Sequence, residues 1–414
     1  MVRPLALLSL VLGVLLAACG SAFAAGAGAA TPSATSVPAR PPDVVILERT
    51  AVDPQGDVWV TGRTVDSGAR LVEYYEGGTW QALPAPPART AGAILPFSTN
   101  DVWLAGGSRF AHWDGSVWTV TPHPRVAGLD VRDIAGAATN DVWVVGRRNG
   151  IALRVPGDGP GERTRFQRAV TLHWDGHVWS VVRAPELPGV DQGLDGVAVG
   201  GGQVWAVGEI QHLLNADAVG EPNVEPLLRY APLALQWKDG AWRRVRHQDY
   251  GNGGTYLVDV SVLPDGTPWT VGVVRVSANI VSGKDATWWT LVERRRGAHW
   301  LIRQEKVTKW RVLPWAIAAT SGHDVWVACM DDRGWPAAEY WNALGWELFP
   351  VEELGWTPGA GMVGTGVPDV AADADGTWLL GGYTLLADAA DTVGDQLIWR
   401  HDAAGWTKIA FARK

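Results

Sequence analysis

The stretch Asp141-Val142-Trp143-Val144-Val145-Gly146, answered downstream by His173-Trp174-Asp175-Gly176-His177-Val178-Trp179, decides how the rest of the chain is read. Val and Trp crowd into runs of four to six residues bounded by turn formers, which is the composition of short strands. Asp175-Gly176 between two such runs suits a two-residue hairpin turn, because both turn positions need positive φ. Val131-Arg132-Asp133-Ile134-Ala135-Gly136 adds a run in front, so this region predicts four antiparallel strands.

The same pattern recurs along the chain. A leading tryptophan stands at Trp59, Trp103, Trp143, Trp205, Trp269, Trp326 and Trp378, and a closing one at Trp80, Trp118, Trp179, Trp242, Trp300, Trp346 and Trp406. Trp113, Trp174, Trp237, Trp341 and Trp399 precede a closing tryptophan, so nineteen of the 25 tryptophans occupy repeat positions. A repeat of this length marks an array in which no unit can bury its apolar faces alone. Seven units of four strands predict an all-β fold, a seven-bladed β-propeller of four-stranded antiparallel blades over residues 43–414, with tryptophans packed between blades.

Repeats of Asp-Val-Trp-x-x-Gly followed by Trp-Asp-Gly-x-x-Trp resemble those of bacterial secreted and lipid-anchored β-propeller proteins, broadly related to kelch-like and sialidase-like propellers. The resemblance covers residues 43–414 and implies a fold more than an activity, since such propellers include binding scaffolds, lectin-like modules and some enzymes. The third-to-fourth-strand hairpin looks like a shortened Asp-box turn, but the full Ser-x-Asp-x-Gly-x-Thr-Trp form is absent.

Residues 1–18 read as a signal peptide: Arg3, an apolar run from Leu5, then Leu16-Ala17-Ala18 ahead of Cys19. A cysteine in that position resembles the bacterial lipobox, whose cysteine is lipidated after cleavage. Residues 19–42 then form a lipidated cysteine and a tether of Ala, Gly, Ser, Thr and Pro, too poor in apolar surface to fold. The expected location is the outer face of the cytoplasmic membrane, or the periplasm or outer membrane of a Gram-negative source. With Cys19 acylated, Cys329 has no intramolecular partner, and stability rests on packing.

The formal charge is -8, which argues against nucleic acid or anionic lipid as the main partner. Membrane contact is expected through the lipid alone, and the domain is expected to be monomeric. Strand direction puts second-to-third-strand turns and the links between blades at one end. There the sequence spends its extra residues, over 147–168, 209–232, 275–286 and 383–396, and in the links 183–193, 246–256 and 350–367. Long loops on a rigid frame are where binding commonly sits.

Around blade six, Trp310, Trp315, Trp335 and Trp356, with Asp331, Asp332 and Arg333, form the ligand-binding candidates, suited to stacking on a sugar or anchoring a protein, although the favoured reading has the tryptophans capping the core under long loops. His212 and His247 lie in neighbouring loops with Asp217, Glu221 and Asp249, the place where a general base and acids would meet in a hydrolase or lyase built on the loops of blades three to five. Asp133, Asp195, Asp259 and Asp369 open first strands at matching offsets and define carboxylates at the channel mouth; turn aspartates also accept backbone hydrogen bonds, and that quieter role, each bonding within its own link between blades, is the favoured one here. No histidine pair has metal-ligand spacing. Asp373-Ala374-Asp375-Gly376 resembles the opening of a calcium loop but lacks the distal glutamate, so calcium is the one cofactor left open. The leading expectation is a non-catalytic module binding a protein or glycan of the cell envelope; the alternatives are a polysaccharide-active enzyme and an envelope-assembly scaffold.

Overall fold

The computed structural model describes residues 2–4 and 45–411, apart from 65–66, 88–89, 91, 107–108, 160, 220–226, 251–253, 277–286, 305–312, 332, 356, 358–361, 366–368, 374–375 and 387–388. The described residues form strands joined by turns, with one short 3-10 turn at Ala216–Ala218. Among them no helix is long and apolar enough to cross a membrane.

Blade three follows the expected plan. Asp130–Ala138, Asp141–Leu153, Arg163–Trp174 and Trp179–Val182 pair in order, all antiparallel. A three-residue strand, Val2–Pro4, lies parallel to Arg163–Arg165. Five sheets of four or five strands stand apart as blades. The fourth and fifth repeats instead share one eight-stranded sheet, so seven separate blades become five plus a fused pair. Fusion occurs at a single parallel bridge between Tyr230 and Gly254. Gly254 has φ +99°, and a Cβ there would lie 2.0 Å from the Tyr230 carbonyl oxygen, so only glycine permits the approach.

The first strands of successive repeats touch in order, and that of the seventh, Asp369–Ala372, touches that of the first, Val45–Val52. The ring therefore closes. Val45–Val52 pairs inside its own blade with Val58–Thr64, so closure is made by side chains and not by a borrowed strand. Asp369 accepts the Thr50 amide at 2.9 Å, Gln396 accepts the Leu47 amide at 3.1 Å, and the Trp80 indole donates to the Ala410 carbonyl at 3.0 Å.

The tryptophans lock blade to blade. Each leading tryptophan is buried, from 0% exposed at Trp59 to 5% at Trp378. Trp103 and Trp143 stack on the cross-strand rings of His112 and His173, then meet closing tryptophans of the next blade edge-on, Trp179 at 5.6 Å and Trp242 at 5.3 Å. The indole N–H of Trp242 is not orphaned, because it donates to Thr171 Oγ1 of blade three at 2.9 Å. Burial of such a side chain is worth several kcal/mol, and truncation costs about 3–5 kcal/mol.

Several of the segments expected as long loops are in part strands prolonged toward the loop-rich end. Within 147–168 only residues 154–162 lie outside strands, and Val155 and Phe166 fold back into the core, at 1% and 0% exposed. Strands of blade four run on to Leu213 and resume at Leu228. Backbone pairing carries the ladder onward in blades three and four, so that part of the loop-rich end is built of raised hairpins on a closed frame.

Candidate functional site

Three charged groups lie on the loop-rich end between blades three and five. They begin at a β-bulge. In blade four the register slips between Leu194 and Gly196, so Asp195 is the extra residue. It turns to Arg147 of blade three, which reaches both its oxygens at 3.0 and 2.9 Å and Glu209 at 3.1 Å. The Arg147 side chain is 6% exposed. Gly193 makes room, since a Cβ there would sit 2.5 Å from Arg147 Nε. Gln211 Nε2 donates to Glu209 at 2.9 Å. Burial pushes the Glu209 carboxyl up against the pull of Arg147, while Asp195 and Glu209 drive the guanidinium well above its usual range. Beside the group stand Tyr230 and Tyr256, ring centroids 5.4 Å apart. Burial, then the Glu209 charge, pushes the Tyr230 phenol up to about 12. Arg275 lies 5.3 Å over Trp288.

The second group contains His247. Its Nε2 lies 2.5 Å from Glu293, and both side chains are enclosed, at 1% and 0% exposed. The two atoms are in close contact without forming a hydrogen bond. Tyr250 Oη donates to the other Glu293 oxygen at 2.8 Å, and burial followed by that carboxylate pushes its phenol upward. Asp249 pairs with Arg229 at 2.5 Å. His212 stands opposite Arg229 in the ladder, and burial, then the arginine charge, holds it below its usual value. Asp217 is exposed on the 3-10 turn, and Glu221 lies outside the described residues. Histidines and acids expected together are thus divided: His247 joins Glu293 and Tyr250, while Asp249 joins Arg229 and His212.

The carboxylates expected at the channel mouth also divide. Asp133, Asp259 and Asp369 each accept the following amide on one oxygen and an amide of the next blade on the other: Val197 at 2.8 Å, Ile317 at 2.8 Å and Thr50 at 2.9 Å. They staple neighbouring blades, a correction to the expected bonds within each aspartate's own link. Asp195 does not join them.

Around blade six Trp335 takes the core-capping role and not the exposed binding one. Trp335 is 8% exposed and packs in the core with Leu354 and Trp399. Asp331 accepts the amides of Arg333 and Trp335 at 2.9 Å each, holding the turn, and Arg333 reaches Glu352 at 2.7 Å. Trp315 is the bulged residue of its strand and half-buried. Trp310, Trp356, Asp332 and Cys19 lie outside the described residues, as do Ala374 and Asp375 of the calcium-like run. Cys329 is free and buried. Among the described residues no cluster of three His, Cys, Asp or Glu is placed to hold a metal.

Sequence reasoning missed Glu293, Arg229, Arg147 and Glu209. Glu293 is inside a strand, with no turn or motif to mark it. Arg147-Arg148 leaving an otherwise apolar Val-Trp-Val-Val-Gly strand was the available signal.

No family model matches the chain, and no curated protein does. Among solved structures it is similar to a polysaccharide lyase, the PL25 ulvan lyase bound to -[GlcA(1-4)Rha3S]-, at 10% identity over 84% of this chain and 96% of that one, with TM-score 0.52. It is also similar to the acylaminoacyl peptidase of Pyrococcus horikoshii, at 9% identity over 89% of this chain and 53% of that one, TM-score 0.52. A third is YCF48 bound to D1 peptide, at 14% identity over 82% and 90%, TM-score 0.46. The first two likenesses bear on the propeller frame alone.

Proposed function

We propose that this chain is an exported β-propeller held at the cell envelope by lipid on Cys19, and that its loop-rich face binds a protein or glycan partner without transforming it. One observation carries the non-catalytic part. His247, the candidate histidine paired with a buried acid, is turned inward, its side chain 1% exposed and Glu293 fully enclosed against it. A general base must reach the proton it removes, within hydrogen-bond distance or through one water. Arg147, Asp195 and Glu209 likewise neutralise one another inside the wall, so these charges stiffen the frame beneath the raised hairpins. Preorganised frames bind with less ordering cost.

The enzyme alternative, a hydrolase or lyase built on the hairpins of blades three to five, draws on the same His247, Glu293 and Tyr250 arrangement. The test separates the two. Full-length protein purified in detergent is exposed to an array of envelope glycans, with photo-crosslinking to membranes for a protein partner, beside a His247→Ala variant checked for folding. Saturable binding with no new reducing ends or unsaturated products supports the binding module. Product formation abolished in His247→Ala overturns it. Loss of palmitate incorporation in Cys19→Ser checks the anchor, and migration as a large assembly from gently solubilised membranes would favour the scaffold.

A further inference from the structure

At the loop-rich end of blade three a pocket of about 230 Å³ opens between the last two strands and the link to blade four. Three arginines line it: Arg148 on the second strand, Arg168 on the third and Arg183 just beyond the fourth. Its floor is apolar, Ala169 and Val170 with Val182 and Pro185 beside them. Arg148 and Arg168 are directly opposed across the ladder. Like charges directly opposite destabilise a sheet, and among the described residues no ion pair joins Arg148, Arg168 or Arg183 to a carboxylate. Glu186 lines the pocket too, and no ion pair joins it to them. Three such cations in one recess stand out on a chain of formal charge -8.

Arg168 is held in place. It donates to the carbonyls of Val190 at 2.6 Å and Gly189 at 3.5 Å, bonds that fix its direction, and the buried Asp191 carboxyl feels its charge without forming an ion pair with it. Buried Gln192 donates to the Pro185 carbonyl at 2.8 Å and pins the wall. Planar guanidinium forks match oxyanions in paired hydrogen bonds. The volume is several times the ~30 Å³ share of one water, room for a ring and not only a carboxyl group.

We propose that this pocket binds the oxyanion of an acidic sugar, a carboxylate or sulfate held by Arg148, Arg168 and Arg183 with the ring against the apolar floor. The proposal rests on the loop-rich face being the binding surface, and it names the chemistry of the ligand. Calorimetric titration of the full-length protein in detergent uses four probes: glucuronate, glucose 6-sulfate, inorganic sulfate and glucose. Saturable binding of both acidic sugars, weaker binding of sulfate and none of glucose is expected. In Arg148→Gln/Arg183→Gln the acidic sugars should bind at least tenfold more weakly, while Arg243→Gln, an exposed charge on blade four, keeps full affinity. Glu186→Gln should tighten binding two- to threefold.

A second readout guards against misfolding. Arg148→Gln relieves the opposed pair and should melt no lower than the parent without ligand, yet gain less from glucuronate. Equal affinity in parent and double variant, glucose binding as well as glucuronate, or an acidic peptide displacing glucuronate at lower concentration overturns the proposal. If envelope glycans bind the face and the double variant keeps that binding, the pocket fails and the wider reading stands. If glucuronate binds but no envelope glycan or protein does, the wider reading fails and the pocket stands.

Discussion

Asp195 and Asp259 begin the same strand in consecutive repeats and look interchangeable in the sequence, yet one faces a buried arginine and the other staples two blades. A bulge makes the difference. In blade five the extra residue is Val258, so Asp259 takes the following place toward the axis; in blade four the extra residue is Asp195 itself, and Gly196 takes that place. A Cβ on Gly196 would lie 2.7 Å from an Asp259 oxygen, so its absence leaves space for the neighbour's carboxylate. One step of register converts a backbone acceptor into half of an ion group. Carboxylates in the first role are matched by neutral amide dipoles, whereas those in the second are matched by a full charge.

The comparison is broken most violently at Arg147. Arg147→Met leaves Asp195 and Glu209 in the wall with no cation, and removing one member of a buried ion group costs about 3–5 kcal/mol. Urea unfolding should register a loss of that size. Adding Asp195→Asn and Glu209→Gln to Arg147→Met should recover most of it, and a triple variant as unstable as the single would mean that the arginine acts through packing alone.

The axial set predicts a pH dependence. Burial raises Asp133 to about 7, against the pull of its two amide donors and Arg49, and burial raises Asp259 and Asp369 as well. A carboxyl whose folded value lies above its unfolded one stabilises the fold at low pH, and that stability is lost as pH rises toward the folded value. Between about pH 5 and 8 the unfolding free energy should fall by on the order of 2 kcal/mol. His212 and His401, held below 6.5, act oppositely, favouring the folded state above that pH. The decline therefore runs mainly from about pH 5 to 7, partly offset by the two histidines below 6.5. Asp133→Asn should flatten it, and a parent curve already flat across that range would remove the axial carboxylates as its source.

These two roles also mark what the sequence could convey. The blades were legible because tryptophan spacing and Asp-Gly turns are local signals, and hydrophobic burial between repeats follows from them. Fusion of blades four and five turns on Gly254 meeting Tyr230, a contact between strands that no local pattern encodes. The bulge at Asp195 is similarly silent, since a one-residue slip leaves composition unchanged. Trp335 leaves two readings open in the sequence, because an aromatic beside polar loop residues reads alike whether it points out or in; Asp331 binding the turn amides brings it inward. His247 was legible as a loop histidine, but its partner Glu293 lies in a strand of another repeat, and only the closed ring brings them together. Arg148, Arg168 and Arg183 were each visible, and nothing in their spacing indicated a shared recess.

Ring closure offers a smaller break. Asp369→Ala removes the acceptor for the amides of Thr50 and Val370, and an unsatisfied backbone donor of this kind costs about 1–2 kcal/mol. The effect should be local: hydrogen exchange at Thr50 should quicken, whereas Val197, held by Asp133 across the ring, should exchange as before. Equal acceleration at both amides would show that the staples act as one unit and not joint by joint.

Arg49 gives the finest distinction. It occupies in blade one the place that Asp259 holds in blade five, and its charge draws Asp133 and Asp369 downward against burial. Unlike Arg147 it makes no ion pair with them, so its influence passes through partly screened space and is worth under about 1 kcal/mol. Arg49→Gln should leave stability near pH 5 almost unchanged, where Asp133 holds its proton, and lower it above pH 7, where Asp133 loses it. Arg49→Lys should restore the parent curve, because a field acts through charge and not through the fork of the guanidinium. Added salt should shrink the gap between Arg49→Gln and parent while leaving the Arg147→Met deficit nearly whole, since the first charge borders the channel and the second is sealed in the wall. A salt-insensitive Arg49 effect would place that arginine with Arg147, as a packed partner and not a distant field.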